Sequence, residues 1–447
     1  MKIKVTRYTS PQEKRSNRLT IDIGIELPDG GCLNTSAKMQ LYPLNFFSAK
    51  SVCVAFGMLY LSAIVYAIDR SVNRAAYSID GWSREFDVDV VLPGYERFHA
   101  IEESINEMLS FLTGDYWTCH FVGDVTVRYL NYAPSTYLDG ISQVNLFSGG
   151  MDSLIGAIDY MASHPQGKLF LASHYDSYMP GPLSDQQRLI KLLLTKYTRK
   201  FCPLPGRKTA VNIDPGLSAE LSCRSRSLMF LSIALVVASY ADCEIVVPEN
   251  GSVSLNYPLS KSRRASCSTR TTHPLFLKTF RDIIAKLGLK VGVINPYEKM
   301  TKGEMVQACA DKDYLMSIVA MSNSCGKRSK HQYNYDYRNA SHCGRCMPCM
   351  YRKAALIGEH DATSYGNKLV TLFGKKGRGV SQDVFAMLDF LKRDISTEEI
   401  RRELRVAGMS GFPDLDDYVN LVARTRSELK AMVIAESSRI LLNYMGW

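Results

Sequence analysis

The stretch VNLFSGGMDS at residues 144–153 decides the fold of this 447-residue chain. Its apolar start predicts a buried strand, and the apolar pattern that resumes after Ser153 predicts a helix. Between them, Gly149 and Gly150 allow the backbone to approach an anion closely, and the helix start offers free N–H groups and a positive dipole end. The stretch therefore predicts a strand, a phosphate-binding loop and a helix in succession.

Outward from this loop, apolar runs alternate with helical patterns. Besides the strand at 144–147, we predict strands at residues 168–173, 209–213, 244–247 and 291–294. The predicted helices lie at residues 153–162, 185–197, 226–241 and 274–287. Strands that are apolar on both faces and alternate with helices are typical of a doubly wound parallel sheet. The prediction is an α/β core with five parallel strands, whose ligands lie beyond the carboxyl ends of the strands.

The same patterns divide the chain into three regions. Residues 1–140 are predicted to form an N-terminal α+β domain, with β-rich runs at 18–27, 86–92 and 122–130 and a helix at 99–112. Residues 141–360 contain the parallel sheet. Residues 361–447 are predicted to be a helical C-terminal extension, in which Ser396 and Glu399 provide a helix start and Leu421, Leu429, Val433 and Leu441 share one side of the last helix.

Composition excludes several classes of protein. With 46% hydrophobic and 22% charged residues, the chain is neither disordered nor a small disulfide scaffold. No apolar leader precedes a small-residue cleavage site, so a cytoplasmic location is expected. Residues 51–68 carry no charged side chain and are borderline in length for a membrane span. Because polar residues dilute this segment, we interpret it as a buried core helix and expect no membrane association.

Four of the 12 cysteines lie close together in the sequence, at Cys325, Cys343, Cys346 and Cys349. Two C-x₂-C steps place three thiolates on one loop, and the fourth completes a tetrahedral site suited to Zn²⁺. An all-thiolate shell is expected to be structural rather than catalytic. An iron–sulfur cluster and a redox dithiol are alternatives, and His331 or His342 are alternatives to Cys325 as the fourth ligand.

The loop sequence resembles the signature of the PP-loop ATP pyrophosphatases. The resemblance implies that ATP is cut between its α- and β-phosphates, and that Mg²⁺ shares the charge of the leaving pyrophosphate. The predicted nucleotide-binding residues are Phe147, Ser148, Gly149, Gly150, Met151, Asp152 and Ser153. No G-x-x-x-x-G-K-[ST] sequence occurs in the chain, which argues against transfer of the γ-phosphate.

Combined with the cysteine pattern, the loop is similar to QueC, the 7-cyano-7-deazaguanine synthase family of queuosine biosynthesis. RSLMFLS at 226–232, NYP at 256–258 and TKGE at 301–304 agree with segments of that family in the same order. Thr301 and Glu304 also fit a helix capping box, so the TKGE match can be explained by helix capping alone, without any relation to the family. The resemblance covers residues 144–356 and implies that ATP and ammonia convert 7-carboxy-7-deazaguanine to an amide and then a nitrile.

A carbon–nitrogen ligase of this kind needs cations for developing negative charge and polar groups that recognise a guanine-like edge. Our candidates for catalysis are Asp152, Arg226 and Lys302. Those for the substrate are Glu249, Asn250 and Arg270.

The chain departs from this family in three places. The segment after the second strand carries an insertion, 17 residues separate Cys325 from Cys343, and both terminal regions are additional. In this respect it resembles the longer QueC-like proteins of bacterial anti-phage defence, such as those of the Qat system and type IV CBASS. That resemblance implies transfer of a 7-deazaguanine acyl group to an amine of a partner protein, which is our leading hypothesis.

Two alternatives stay open at this point. One is a housekeeping nitrile synthase that uses ammonia. The other is a zinc-containing PP-loop protein that binds nucleic acid or modifies RNA, because aromatic residues interleave with cations in KHQYNYDYR at 330–338.

The formal charge of +10 is concentrated in two segments. Residues 250–281 hold six Lys or Arg and no acid, and residues 326–353 hold seven against one acid, so each segment contributes +6. We expect both segments to border the strand ends and to attract ATP, pyrophosphate and an anionic substrate.

Overall fold

The computed structural model describes residues 1–13, 16–41, 44, 53–129, 139–176, 181–197, 201–202, 207–259, 270–328, 330–377 and 379–447. The strands in these residues are β1 Lys2–Thr9, β2 Arg18–Glu26, β3 Cys32–Gln40, β4 Glu85–Val91, β5 Tyr116–Gly123, β6 Gln143–Leu146, β7 Leu169–Ala172, β8 His174–Asp176, β9 Phe201–Cys202, β10 Arg207–Asn212, β11 Glu244–Val246 and β12 Val293–Ile294.

The α-helices are α1 Cys53–Ser71, α2 Arg74–Tyr77, α3 Tyr95–His99, α4 Glu102–Thr113, α5 Met151–Ser163, α6 Gly181–Lys196, α7 Arg226–Ala241, α8 Gly251–Leu255, α9 Pro274–Lys286, α10 Lys302–Gln307, α11 Lys312–Ile318, α12 Met347–Ala355, α13 Leu369–Phe373, α14 Gln382–Lys392, α15 Thr397–Leu404, α16 Leu415–Glu436 and α17 Arg439–Met445.

A five-stranded parallel sheet forms the centre of the site region. Its strand order is β12-β11-β6-β7-β9, and all four neighbouring pairs are parallel. Both faces are covered, since Val144 and Phe170 belong to one hydrophobic core while Leu169 and Leu171 belong to another. The prediction of a mixed α/β chain with a parallel sheet is confirmed.

One predicted strand of this sheet is wrong. Residues 209–213 were expected to supply its third strand, but β10 lies in a different sheet, antiparallel to β3 and parallel to β8. The third strand in chain order is instead the two-residue β9, which pairs with β7. A β-rich pattern does not specify its partner, and here the free edge of β3 pairs with the segment.

The second sheet has seven strands in the order β5-β4-β1-β2-β3-β10-β8. Its first five strands come from residues 2–123, and its last two come from residues 174–212. The predicted runs at 18–27 and 86–92 correspond to β2 and β4, whereas β1 and β3 were not predicted. The run at 122–130 is shifted, because the strand is β5 and ends at Gly123. The N-terminal region and the middle region therefore share one sheet.

Helix α1 contains the uncharged segment predicted to lie in the core. One described helix is long and apolar enough to span a membrane, Val54–Ser71, and 94% of that window is buried inside the protein. Helix α1 contacts β3 and β10 of the seven-stranded sheet and also α7, and α7 contacts β6, β7 and β11 of the parallel sheet. Because protein surrounds α1, it is apolar on all sides up to its last turn, which carries Asp69 and Arg70.

A buried charge network joins α1 to the start of α7. The guanidinium of Arg84 contacts Asp69 at 2.6 Å and Asp115 at 2.7 Å, and all three side chains are fully buried. Asp69 also accepts hydrogen bonds from the backbone N–H and the hydroxyl of Ser225. Burial opposes ionisation of Asp69, but the charge of Arg84 and the hydrogen bonds from Arg84 and Ser225 together outweigh it and lower the pKa of this carboxyl.

The C-terminal region is helical, as predicted. Ser396 accepts a hydrogen bond from the N–H of Glu399 at 3.1 Å and caps α15. Leu421, Leu429 and Val433 are buried on α16, whereas Leu441 belongs to the separate helix α17. This hydrophobic core also includes residues of α12, so the extension packs against the segment that contains the cysteines.

Candidate functional site at the strand ends

The loop at residues 148–153 connects the central strand β6 to α5. Gly149 adopts φ +90°, which favours glycine, and a Cβ there would lie 3.3 Å from the Cβ of Asp185. Gly150 is the N-cap residue of α5 and has no side chain to cap it. The first N–H groups of this 13-residue helix therefore face the loop, as anion binding requires.

Hydroxyl groups occupy the loop's N–H donors in this structure. Ser153 Oγ accepts from the N–H of Gly149 at 3.2 Å, and Ser148 Oγ accepts from the N–H of Gly150 at 3.3 Å. The N–H of Met151 donates to Ser324 Oγ at 3.3 Å. All three bonds are longer than the usual 2.9–3.0 Å, so a phosphate oxygen can compete for these donors.

Asp152 is the centre of a buried polar group next to the loop. Its Oδ1 accepts from Lys302 Nζ at 2.5 Å, and its Oδ2 accepts from Asn250 Nδ2 at 2.6 Å. Because β6 and β11 are neighbouring parallel strands, the residues that follow them meet at one edge of the sheet. The structure thus brings together Asp152, Lys302 and Asn250, which the sequence predicted separately.

The pKa values of the neighbouring Asp152 and Glu249 carboxyls are shifted in opposite directions. Burial favours the neutral form of Asp152, but the charge of Lys302 and the hydrogen bonds from Glu249, Lys302 and Asn250 together outweigh this effect and lower its pKa. The pKa of Glu249 is raised well above its usual value, first by burial and then by the negative charge of Asp152. One carboxylate and one carboxylic acid therefore lie side by side over a wide pH range.

Both the nitrogen and the oxygen of the Asn250 side-chain amide make hydrogen bonds within the protein. Its Nδ2 binds Asp152, and its Oδ1 accepts from the N–H of Val253 at 3.1 Å and caps α8. These contacts make Asn250 a positioning residue for Asp152. A role in contacting the substrate, as predicted from the sequence, would require one of these bonds to break.

Arg226 lies beyond the end of β7, at the first position of α7. Its Nη2 donates to the carbonyl of His174 at 3.1 Å, and its guanidinium lies 5.4 Å from the centroid of the Phe230 ring. Gln186 links this carbonyl to the loop, since its Nε2 donates to His174 O at 3.3 Å and to Ser148 O at 3.4 Å. Arg226 is therefore connected to the loop through Gln186.

Arg270, the third predicted cation, makes its described contacts with Phe111 of α4. Its Nη1 donates to the carbonyl of Phe111 at 3.0 Å, and its guanidinium lies 4.4 Å from the centroid of that ring. The described contacts of Arg270 thus join it to α4 rather than to the loop. Residues 260–269, which carry Lys261, Arg263 and Arg264, lie outside the described residues.

Sequence reasoning missed an ion pair beside Gly149. Arg328 Nη1 pairs with the carboxylate of Asp185 and donates to the carbonyl of Gly181 at 3.1 Å. Arg188 lies 3.6 Å from the same carboxylate. Burial raises the pKa of Asp185, and Arg328 opposes that rise. The insertion after the second strand was the available signal, because it brings Asp185 and Gln186 to the loop.

The four predicted cysteine ligands form one cluster. The Sγ atoms of Cys325, Cys343, Cys346 and Cys349 all lie within 4.8 Å of one another. The Sγ distances are 4.0 Å for Cys325–Cys346, 3.9 Å for Cys343–Cys349 and 3.4 Å for Cys346–Cys349. Tetrahedral zinc with Zn–S bonds of about 2.3 Å places sulfurs about 3.8 Å apart. The four thiols can therefore bind a metal such as zinc.

Backbone N–H groups orient two of these sulfurs. Lys327 and Cys343 donate to Cys325 Sγ at 3.4 and 3.3 Å, and Arg345 donates to Cys343 Sγ at 3.4 Å. The pKa of Cys343 is lowered because the other three thiols hydrogen-bond to it. Among the described residues, neither His331 nor His342 belongs to the cluster. His342 Nε2 instead accepts from the N–H of Ser324 at 3.4 Å.

The two residues that precede the first cluster cysteine contact the loop. The N–H of Asn323 donates to the carbonyl of Gly149 at 2.9 Å, and Ser324 Oγ accepts from Met151 N–H at 3.3 Å. Both residues immediately precede Cys325. Sequence reasoning missed them, although a Ser-Asn-Ser run next to the first cysteine was visible.

The positive charge of residues 326–353 is distributed differently from the prediction. Lys327 pairs with Asp383 at 2.7 Å, and Lys353 pairs with Glu436 at 2.8 Å, so acids of the C-terminal helices neutralise both. Arg352 is buried and donates to Ser322 Oγ at 2.9 Å. Of these cations, Arg328 is the one described beside the loop.

No protein-family model matches the chain, and no match is found among the curated proteins or the solved structures.

Proposed function

We propose that the protein is an ATP-dependent ligase that adenylates a carboxylate and then forms an amide. The observation that carries this proposal is the loop at 148–153, which directs the start of α5 and the buried Asp152–Lys302 pair to the carboxyl end of the central strand. The strand order supports it as well. The chain runs from β6 outward to β9 and then resumes at β11 on the other side, which is the order expected of a doubly wound sheet that binds its ligand between β6 and β11.

The proposed reaction has two steps. A carboxylate oxygen attacks the α-phosphorus of ATP, and the bond from that phosphorus to the bridging oxygen breaks, so pyrophosphate leaves. An amine nitrogen then attacks the acyl carbon, loses a proton, and expels AMP. The first step turns a poor leaving group into a good one.

The loop would hold the pyrophosphate through the N–H groups of Gly149, Gly150 and Met151, which now bind hydroxyls at 3.2–3.3 Å. Lys302 would offset negative charge at the α-phosphate once nucleotide competes with Asp152 for its ammonium. Arg226 would act from the neighbouring strand end.

The donor set suits a hard divalent cation. Asp152 and Glu249 provide neighbouring carboxyl oxygens, and Mg²⁺ prefers such ligands together with phosphate oxygens. Mg²⁺ would supply charge neutralisation on the phosphates. The proton that Glu249 retains would be displaced when the cation binds.

The cysteine cluster would hold zinc in a closed four-thiolate shell, which leaves no position for a substrate. Its contribution would be structural, because Asn323 and Ser324 join the cluster to the loop. Zinc thus takes no part in either chemical step.

The substrate class rests on the resemblance to QueC-like proteins of anti-phage systems. We propose a 7-deazaguanine carboxylate as the acyl group and an amine of a partner protein as the acceptor.

Carboxylate-dependent exchange of labelled pyrophosphate into ATP tests the first step, with Gly149→Ala and Asp152→Asn as site variants. Exchange that needs 7-carboxy-7-deazaguanine and is lost in both variants supports the proposal. ATP cleavage that does not respond to any carboxylate would refute it.

Mass spectrometry of the protein, ATP, the carboxylate and the proteins encoded beside it tests the second step. A protein adduct with the mass of the acyl group is expected. A nitrile product formed from ammonia without an adduct would instead assign the housekeeping synthase reaction.

A further inference from the structure

The insertion between the first two cluster cysteines presents three tyrosines on the surface. Tyr333, Tyr335 and Tyr337, together called the tyrosine face, are 40%, 44% and 58% exposed. A lid that packed on the protein would bury such rings. Since three large aromatic side chains stay accessible at alternate positions, they are available to a ligand.

The residues between the tyrosines hold the face in place. Asn334 Nδ2 donates to the carbonyl of Arg338 at 3.2 Å. The Asp336 carboxylate accepts from the N–H of Lys368 at 2.7 Å and from Thr371 Oγ1 at 2.9 Å. Because these side chains anchor the segment to the body of the protein, the rings point outward without further ordering. A ligand therefore meets a preorganised surface.

Positively charged side chains lie beside the tyrosine rings, and the nearby Asp336 and Asp383 already have hydrogen-bond or ion-pair partners. Lys375 Nζ lies 4.1 Å from the Tyr335 ring centroid, and the Arg345 guanidinium lies 4.9 Å from that of Tyr333. Asp336 is occupied by the bonds described above, and Asp383 pairs with Lys327. The positive charge of Lys375 and Arg345 is thus left for an anionic partner.

A cavity of about 400 Å³ opens between these groups and is lined by Lys330, Tyr333, Tyr335 and Arg345. Tyr337 lines a second cavity of about 520 Å³ together with Lys368. Arg345 is only 4% exposed, and its Nε and Nη2 have no hydrogen-bond partner among the described residues. Because these two nitrogens are closed to solvent, Arg345 contributes positive charge to the wall of the first cavity.

We propose that the tyrosine face binds single-stranded nucleic acid, with bases stacked on the tyrosine rings, phosphates held by the exposed Lys330 and the half-buried Lys375, and the charge of Arg345 attracting the strand. Stacking on aromatic rings in a positively charged groove is how proteins bind single strands without sequence preference. An acidic protein surface would satisfy the cations, but it would not stack on the exposed parts of the three rings. This site is separate from the loop at 148–153 and does not depend on the proposed ligase activity.

Fluorescence anisotropy of the full-length protein with labelled 20-nucleotide oligo(dT) and oligo(U) tests this proposal. Binding is expected at low salt. Tyr335→Ala and Tyr337→Ala should each weaken it about tenfold, whereas Tyr335→Phe, which keeps the ring, should not. Lys330→Gln should weaken binding and reduce the salt dependence by about one counterion. Stronger binding of one oligonucleotide assigns RNA or DNA as the source of the strand.

Two controls separate this surface from the rest of the protein. Tyr116→Ala removes an equally exposed ring, 57% accessible, on β5 and should leave binding unchanged. Asp152→Asn alters the ligase site and should leave binding unchanged too. The proposal is overturned if neither oligonucleotide binds at low salt, if a duplex or polyglutamate binds equally well, or if Tyr335→Ala has no effect.

Discussion

The loop at 148–153 and the cysteine cluster both gather polar groups into a small volume, but they do so by opposite means. The loop uses consecutive residues, so its donors are mostly backbone N–H groups at a helix start. The cluster uses four side chains spread over residues 325–349. The N–H of Asn323, two residues before Cys325, supports the carbonyl of Gly149 at 2.9 Å. From this difference we infer that the cluster holds the loop in a fixed position and that the loop binds the phosphate groups.

Loss of the cluster should have the largest effect. Cys343→Ser removes a central ligand, so bound zinc should be lost and the free energy of unfolding should fall by about 5 kcal/mol or more. Metal analysis and urea denaturation measure both quantities. Hydrogen exchange should also accelerate at residues 149–153. Cys32→Ser, at an exposed cysteine outside the cluster, is the matched control. Unchanged protection of the loop in the metal-free variant would contradict the proposed support.

Lys302→Met should have the next largest effect, because it leaves the buried carboxylate of Asp152 without its cation. A loss of about 3–5 kcal/mol in the free energy of unfolding is expected. Adding Asp152→Asn should restore most of that loss in urea denaturation. Lys312→Met breaks a more exposed ion pair with Glu359 and should cost less than about 1 kcal/mol. Equal effects of the two lysine variants would refute a special role for the buried pair.

The two regions should respond to pH in opposite directions. The pKa of Glu249 is raised, so between its unfolded value near 4.5 and its higher folded value the folded protein holds a proton that the unfolded chain releases. Stability from this group is therefore present at low pH and lost as the pH rises, by at most about 1.4 kcal/mol per pH unit. The cluster differs, because acid protonates thiolates and releases metal.

Glu249→Gln should flatten the fall in stability across that window, as measured by urea denaturation at a series of pH values. Glu359→Gln is the control, since hydrogen bonds from Lys312 and Gln307 lower the pKa of Glu359 instead. An unchanged pH profile for Glu249→Gln would show that this carboxyl is not shifted as described.

Gly149→Ala should have the smallest effect on stability, about 1–2 kcal/mol from the positive φ of +90°. The same substitution should weaken ATP binding by more free energy than this backbone strain costs, because the added Cβ would contact Asp185 and displace the loop. Gly140→Ala is a matched control, since Gly140 has φ +72° but no atom within 4 Å of the added Cβ. Calorimetry of ATP binding compares the two. Equal ATP affinities of Gly149→Ala and Gly140→Ala would show that ATP binding does not depend on the geometry of the loop.

Local patterns predicted many elements of the fold. Helix α7 begins and ends where its pattern placed it, at Arg226 and Ala241. The capping box of Thr301 and Glu304 is present at the start of α10. These features depend on periodicity and on bonds between residues three or four positions apart, which a sequence displays directly.

Features that depend on distant partners were predicted poorly. Segment 209–213 was assigned to the parallel sheet, although β10 pairs with β3. Arg270 was expected at the strand ends, but its described contacts are with Phe111. Arg328 was not singled out, although it pairs with Asp185 beside Gly149. In each case the residue type was informative, but its partner lies far away in the sequence.

The sequence by itself determined the chemistry available to this protein: a glycine-rich loop between a strand and a helix, four cysteines with metal-ligand spacing, and tyrosines alternating with polar residues. Only the tertiary structure decided which of these groups meet. It placed Lys302 on Asp152, Asn323 on Gly149 and Arg345 beside Tyr333. The physical reason is that hydrogen bonds and charge pairs act over a few ångströms, and chain folding, rather than sequence proximity, sets those distances.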